Sequence, residues 1–298
     1  MSASTARRTL LTVLLALTAA GCSLGGEPGR GPVALDVRPL SGATAFTYAQ
    51  AVRLHDREER AVAACMTSRG QSYTTQPRTA SARSEETNPY GLLTPERAAQ
   101  DGYGIVGEYL YRQSSPPPPE EPRKTAWRQA LTGTPAHRVR LRLPDGVSLE
   151  YSTDGCVARA RAELYGADWN TVAPVTMGLA NRVIGSVEAD PGYRAAVRHW
   201  SSCMTKAGHP ATDLQAPRRA IDSRLQKAAA DAETLHALGR DEIRLAGADA
   251  GCQLETGLSE AVRDVQQAAE EHLLTASDRR TVARFVADKH HALATGSA

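Results

Sequence analysis

The stretch ACMTSRG, from Ala64 to Gly70, returns almost unchanged as SCMTKAG, from Ser202 to Gly208. Each copy closes a helical pattern. Upstream of the first, Ala49, Val52, Val62, Cys65 and Met66 fall at helix-compatible spacings. Upstream of the second, in ADPGYRAAVRHWSSCMTKAG, Asp190 is placed to cap a helix and Pro191 to open its first turn. Glycine follows in both copies, at Gly70 and Gly208, where a left-handed residue commonly stops a helix. A second cysteine context also occurs twice. Cys156 in TDGCVARARAELYG and Cys252 in ADAGCQLETGLSEAV each read as opening a helix. The chain order is therefore a helix end, a helix start, and the same again.

That order bears on disulfides. Of the five cysteines, Cys22 has a separate role described below, which leaves Cys65, Cys156, Cys203 and Cys252. An even number in an exported chain points to disulfides, and four cysteines allow three connectivities. The repeated order favours Cys65–Cys156 and Cys203–Cys252, one staple per unit. No CxxC pair occurs and the cysteines are widely spaced, so no metal or cofactor is expected.

The expected fold is mainly α, a helical domain built from two disulfide-stapled units over 44–166 and 167–298, with one small β-hairpin. The hairpin signal is RVRLRLPDGVSLEY, where apolar and polar residues alternate on both sides of Pro144-Asp145-Gly146. Thr94 and Pro95 start a short helix that Gly102 ends, and another helix runs from about Asn170 to Glu188. From Asp241 almost to the end, Leu254, Leu258, Val262, Val265, Ala269 and Leu273 read as one long helix, with Ser277 as the place where a break would fall. Aromatic residues make up only 5% of the chain, so the core must lean on Leu, Val and Ala.

The chain opens MSASTARRTLLTVLLALTAAGCS. Arg7 and Arg8 precede an apolar run of about 12 residues, against the roughly 20 that a helix needs to cross a bilayer. Residues 1–21 therefore read as an export signal, and the two arginines also allow twin-arginine export. The end of the run, AAGC, resembles the lipobox of bacterial lipoproteins, with Ala19 where Leu is commonest. That resemblance implies acylation of Cys22 and attachment to the extracytoplasmic face of the cell membrane. Residues 22–43, rich in glycine and proline and without periodicity, read as a flexible tether.

Without Arg7 and Arg8 the basic residues fall from 35 to 33, level with the 33 acidic ones. A neutral chain with interspersed signs gives no clustered basic face, so no nucleic-acid partner is expected. Contact with the membrane would come through the acyl chains instead.

Chemical motifs are sparse. GYGIVG, Gly102 to Gly107, matches GxGxxG literally, but a Pro-started helix precedes it where a dinucleotide site needs a strand, so it reads as a glycine-rich turn. His290 and His291 are adjacent, and neighbours on a helix point about 100° apart, a poor chelating pair. No catalytic residue is assigned. Tyr103, Tyr109 and Tyr111 stand beside the proline run SSPPPPEEP and are the candidate contact surface, because tyrosine joins an apolar ring to a polar tip. The alternative is that these rings pack the loop onto the helices.

The expected function is a lipid-anchored extracytoplasmic binding or accessory module of the cell envelope, with an envelope protein or the cell wall as partner. Two alternatives stand beside it. One is a cell-wall hydrolase using carboxylates such as Glu85, Glu86, Asp101 and Glu108, and the other is a small-ligand carrier.

Residues 40–298 resemble a group of uncharacterised exported or lipid-anchored actinobacterial proteins of the streptomycete type. The resemblance rests on NPYGLLTPERAAQDGYG, GCVARARAELYG, WSSCMTKAG and ADAGC. Lysine supplies only four of the 35 basic residues, which fits a G+C-rich genome. The resemblance supports the location and the paired cysteines and carries no activity with it.

Overall fold

The computed structural model describes residues 37–85, 87–115, 117, 119–120, 124–228 and 231–295. In chain order its elements are α1 (Tyr48–Ser68), α2 (Ala82–Glu85), α3 (Pro95–Asp101), α4 (Ile105–Ser114) and α5 (Thr125–Thr132). The hairpin β1 (Arg138–Arg142) and β2 (Ser148–Ser152) follows, then α6 (Cys156–Tyr165), α7 (Trp169–Ala189) and α8 (Pro191–Lys206). The chain finishes with α9 (Ala216–Ala228), α10 (Ala232–Glu255), α11 (Leu258–Leu273) and α12 (Ala276–Ala294). The fold is mainly α with one small antiparallel hairpin, as the sequence patterns indicate.

The repeated CMT..G stretch is a repeated helix end. In α1 the Gln71 N–H donates to the Met66 carbonyl at 3.0 Å and the Gly70 N–H to Thr67 at 2.9 Å. In α8 the matching bonds run from His209 to Met204 at 2.8 Å and from Gly208 to Thr205 at 3.1 Å. These are the two bonds of a Schellman motif, and they need a left-handed residue at the glycine. Gly70 and Gly208 supply it, with φ of +67° and +82° and open space around both. Met66 and Met204, whose carbonyls accept these bonds, are both fully buried. The helix starts are equally local. Thr47 with Gln50 and Thr275 with Asp278 form capping boxes, and Asp190 accepts from Gly192 N–H at 2.7 Å beside Pro191.

Both staples form as the repeat suggested, Cys65 with Cys156 and Cys203 with Cys252, each with a Cα–Cα distance of 5.6 Å. Their settings differ. Cys156 opens α6, whereas Cys252 lies in the last turn of α10 rather than at a helix start. The ADAGC stretch continues the helix because Ala246 and Ala250, both fully buried, pack against Ala98 of α3. The long helix expected from Asp241 onward breaks at Gly257, with φ of +63°, and again at the Thr275 cap.

The boundary drawn at residue 166 does not divide the core. Tyr90 and Leu92 from the first unit pack with Val187, Trp200, Met204, Leu258 and Val262 from the second. Leu54 and Leu164 likewise pack with Trp169, Phe285 and Ala292. Val62, Met66, Trp127, Leu131 and Cys156 form a smaller core around the first staple.

The flexible tether expected over 22–43 does not extend to residue 43. Val37 and Leu40 are buried in the main core. Asn88 Nδ2 donates to the Val37 carbonyl at 3.0 Å, Gln266 Nε2 to Arg38 at 3.0 Å, and the Leu40 N–H to Glu270 Oε1 at 2.8 Å. Lys289 Nζ donates to the carbonyls of Ala43 and Ala45 and lies 3.7 Å from the centre of the Phe46 ring. Burial lowers the pKa of this amine to about 8. Leu40 and Ser41 adopt left-handed φ of 56° and 53°, which costs non-glycine residues of order 1–2 kcal/mol each and which these anchors offset. Glycine and proline content signalled looseness, and buried Val37 and Leu40 overrule it.

Burial holds Tyr90, Tyr103, Tyr165 and Tyr193 above the usual phenol range, Tyr193 to about 12. A phenol whose folded pKa exceeds its unfolded value of 10.0 stabilises the fold fully below pH 10, and that stability is lost as pH rises through the folded pKa. Ultraviolet titration of tyrosinate should therefore show these four of the nine tyrosines ionising only as the helical circular dichroism collapses. Titration of all nine near pH 10 with the helices intact would contradict this.

Candidate functional site

The glycine-rich turn before α4 is built by close approach. Gly102 and Gly104 have φ of +63° and +82°, and a Cβ at Gly102 would lie 2.8 Å from Glu242 Cγ. The space lets the buried Glu242 carboxylate of α10 accept from the N–H groups of Ile105 at 2.7 Å and Val106 at 3.0 Å. Burial raises the Glu242 carboxyl above its usual range despite these bonds. A helix N-terminus attracts negative charge, and the anion that this one holds is the protein's own side chain.

Between the two glycines, Tyr103 points inward. Its hydroxyl donates to Asp249 Oδ2 at 3.0 Å, and the Arg218 guanidinium lies 4.5 Å from its ring centre. Asp249 is fully buried and also accepts from Trp200 Nε1 and Gln253 Nε2, each at 2.8 Å, with Arg218 at 3.7 Å. Gln253 in turn accepts from the Leu93 N–H at 2.9 Å. This polar knot ties the α4 turn, α8, α9, α10 and the loop at Gly91 together. Sequence reading missed it. The available signal was Asp249 and Gln253, four apart on α10 among small residues.

The three tyrosines do not make one continuous surface. Tyr103 belongs to the knot. Tyr109 and Tyr103 are both half-buried and both line a groove of about 420 Å³ between α4 and α9, together with Ile105, Arg83, Arg112 and Asp222. Tyr111 does not line that groove, and its hydroxyl pairs with Tyr48 of α1.

The candidate carboxylates are not assembled as free acids. Asp101 pairs with Arg83 at 3.0 Å. Glu108 accepts from the Ser81 hydroxyl and from Arg112 Nε at 3.0 Å. Burial opposes the charge on Glu108, but Ser81 and Arg112 outweigh it and hold the carboxyl below its usual range. Glu86 and the side chain of Glu85 lie outside the described residues, as do Cys22 and parts of the proline run.

A larger cleft, of about 830 Å³, opens where β2, α1, α6 and α7 meet. Tyr165 and Trp169 line it, stacked with ring centres 4.1 Å apart, and Phe285 stacks behind Trp169 at 4.8 Å. Tyr165 and Trp169 are one helical turn apart in sequence, yet Gly166, with φ of +116°, separates their helices. Their meeting was therefore not legible from periodicity. No family model matches the chain, and no curated protein or solved structure is significantly similar to it.

Proposed function

We propose that this protein is a lipid-anchored binding or accessory module on the extracytoplasmic face of a bacterial cell membrane, of the actinobacterial type named above. The observation that carries the reading is the order of residues before Cys22, a basic start, a short apolar run and Ala-Ala-Gly. Two formed disulfides support it, because such bonds persist in oxidising compartments and are rare where thiols are kept reduced. The near-neutral charge beyond residue 21 favours a partner met by shape and hydrogen bonding over one drawn by long-range charge.

Cys22→Ala removes the acyl attachment point while leaving the described body untouched. Fractionation of producing cells should then find the protein in the medium or the soluble envelope fraction. Undiminished membrane retention of the Cys22→Ala chain would overturn the anchored reading.

A further inference from the structure

Helix α8 packs by one side only. Trp200 and Met204 are fully buried in the main core, while Arg194, Arg198, Ser202, Thr205 and Lys206 are exposed. At about 100° per residue, Arg194, Arg198 and Lys206 fall within an arc of about 120° opposite Trp200 and Met204, in a row about 18 Å long. No Asp or Glu occurs between Pro191 and Thr212. None of the three cations forms an ion pair or a side-chain hydrogen bond among the described residues. That sets them apart from exposed arginines elsewhere. Arg140 sits on Glu150, Arg219 on Asp213 at 2.8 Å, and Arg284 on Asp288 at 2.9 Å. Across the second staple, Glu255 of α10 lies 3.6 Å from Cys203 Sγ, itself outside that arc, and pairs with none of them. The chain-wide balance of charge conceals this local excess.

We infer that the outer face of α8 rests on an anionic phospholipid surface and so sets which side of the body faces the bilayer. The row stands on the convex side of a helix and lines neither the groove beside α4 nor the cleft at β2, so no wall encloses a discrete anion there. A planar array of phosphates meets all three cations at once, and each gains an attraction that falls off within a Debye length of the surface. The path of the chain fits this orientation. It enters the body at Val37, which shares the core with Trp200 and Met204 on the inner side of α8. Residues 23–36 span at most about 50 Å when fully extended. A tether of that length raises the effective concentration of the bilayer around the body, so individually weak contacts suffice. The inference rests on the membrane location proposed above and adds to it the orientation of the body.

Vesicle flotation tests this, using residues 22–298 with Cys22→Ala. That chain has no acyl group, omits the arginines and apolar run of residues 1–21 that would bind vesicles themselves, and keeps every described residue. It should float with phosphatidylglycerol vesicles at about 0.01 M salt, where charges act over about 30 Å, and be released at about 1 M, where they act over about 3 Å. Phosphatidylcholine vesicles should leave it behind. Arg194→Gln, Arg198→Gln and Lys206→Gln together should weaken binding on the order of a hundredfold, at about fivefold per charge. Arg140→Gln, Arg219→Gln and Arg284→Gln together remove the same charge from paired positions and should weaken it less than about fivefold. All these positions are exposed, so both variants should keep the parent's helical circular dichroism. No flotation with phosphatidylglycerol, equal flotation with phosphatidylcholine, undiminished binding by the α8 variant, or an equal loss in the second variant would overturn the proposal. Tighter binding to a single-stranded oligonucleotide than to the vesicles would also overturn it, by assigning the face to nucleic acid. With the acyl group absent throughout, failure here and failure of anchoring are separately visible.

Discussion

Asp249→Ala should lower the unfolding free energy by about 3–5 kcal/mol, the range seen when one partner of a buried charged network is removed. Asp249 is fully buried and gathers Trp200, Gln253, Tyr103 and Arg218 around two oxygens. Alanine would leave the Trp200 indole N–H, itself fully buried, without its acceptor, and would open a void beside it. Asp249→Asn should cost less, about 1–3 kcal/mol, because one oxygen remains while the new amide N–H₂ faces other donors. Since total stability is typically about 5–15 kcal/mol, the alanine variant stands near the threshold of folding. Chemical denaturation with both fluorescence and circular dichroism measures the difference. A loss under about 1 kcal/mol for Asp249→Ala would show that the knot contributes little.

The second large effect is expected from the double substitution Cys65→Ala with Cys156→Ala. The bridge closes a sequence separation of 91 residues, and the chain-entropy model assigns such a loop about 4.6 kcal/mol. The 49-residue separation of Cys203 and Cys252 corresponds to about 4.1 kcal/mol in the same model. The two losses should differ in character. The first staple sits within the small core of Val62, Met66, Trp127 and Leu131, with Cys156 fully buried. The second borders the large core that contains Trp200, Leu258 and Val262. Opening the first should therefore release α5, the hairpin and α6 locally before the remainder unfolds. Amide hydrogen exchange on the double variant should show protection lost first over 125–165. Uniform loss across the chain, or a stability change below about 1 kcal/mol, would refute this account.

Legibility followed the range of the interaction. The Asp190 cap, Pro191 and Gly208 act within a few residues, so their pattern could be read directly and the structure has the same helix. The hairpin was equally plain, because alternation and Pro-Asp-Gly set its register locally, Val139 opposite Tyr151 and Leu141 opposite Leu149. Gly257 was missed as a break because the apolar spacing continues through it, while Cys252 was misplaced as a helix start because Gly251 resembles one. Gly251 stays helical with open space around it, since burial of Ala250 and Cys252 holds the turn in place. Tyr103 shows the same limit. Its chemistry suits either a surface or a core, and Asp249, 146 residues away, draws its hydroxyl inward while the residue still lines the α4–α9 groove.

By itself, then, the sequence determined the elements whose causes are local: the repeated helix ends, the caps, the hairpin, and, through the repeat, which cysteines are joined. Tertiary structure alone decided where those elements bury their faces. It merged the two stapled units into shared cores, drew residues 37–43 from the tether into the body, and brought Tyr165 and Trp169 together over a cleft. The physical reason is that a cap or a Schellman turn is completed within about six residues. Burial of Asp249, Val37 or Trp169 depends on partners from distant helices, and no short stretch of sequence specifies which ones will arrive.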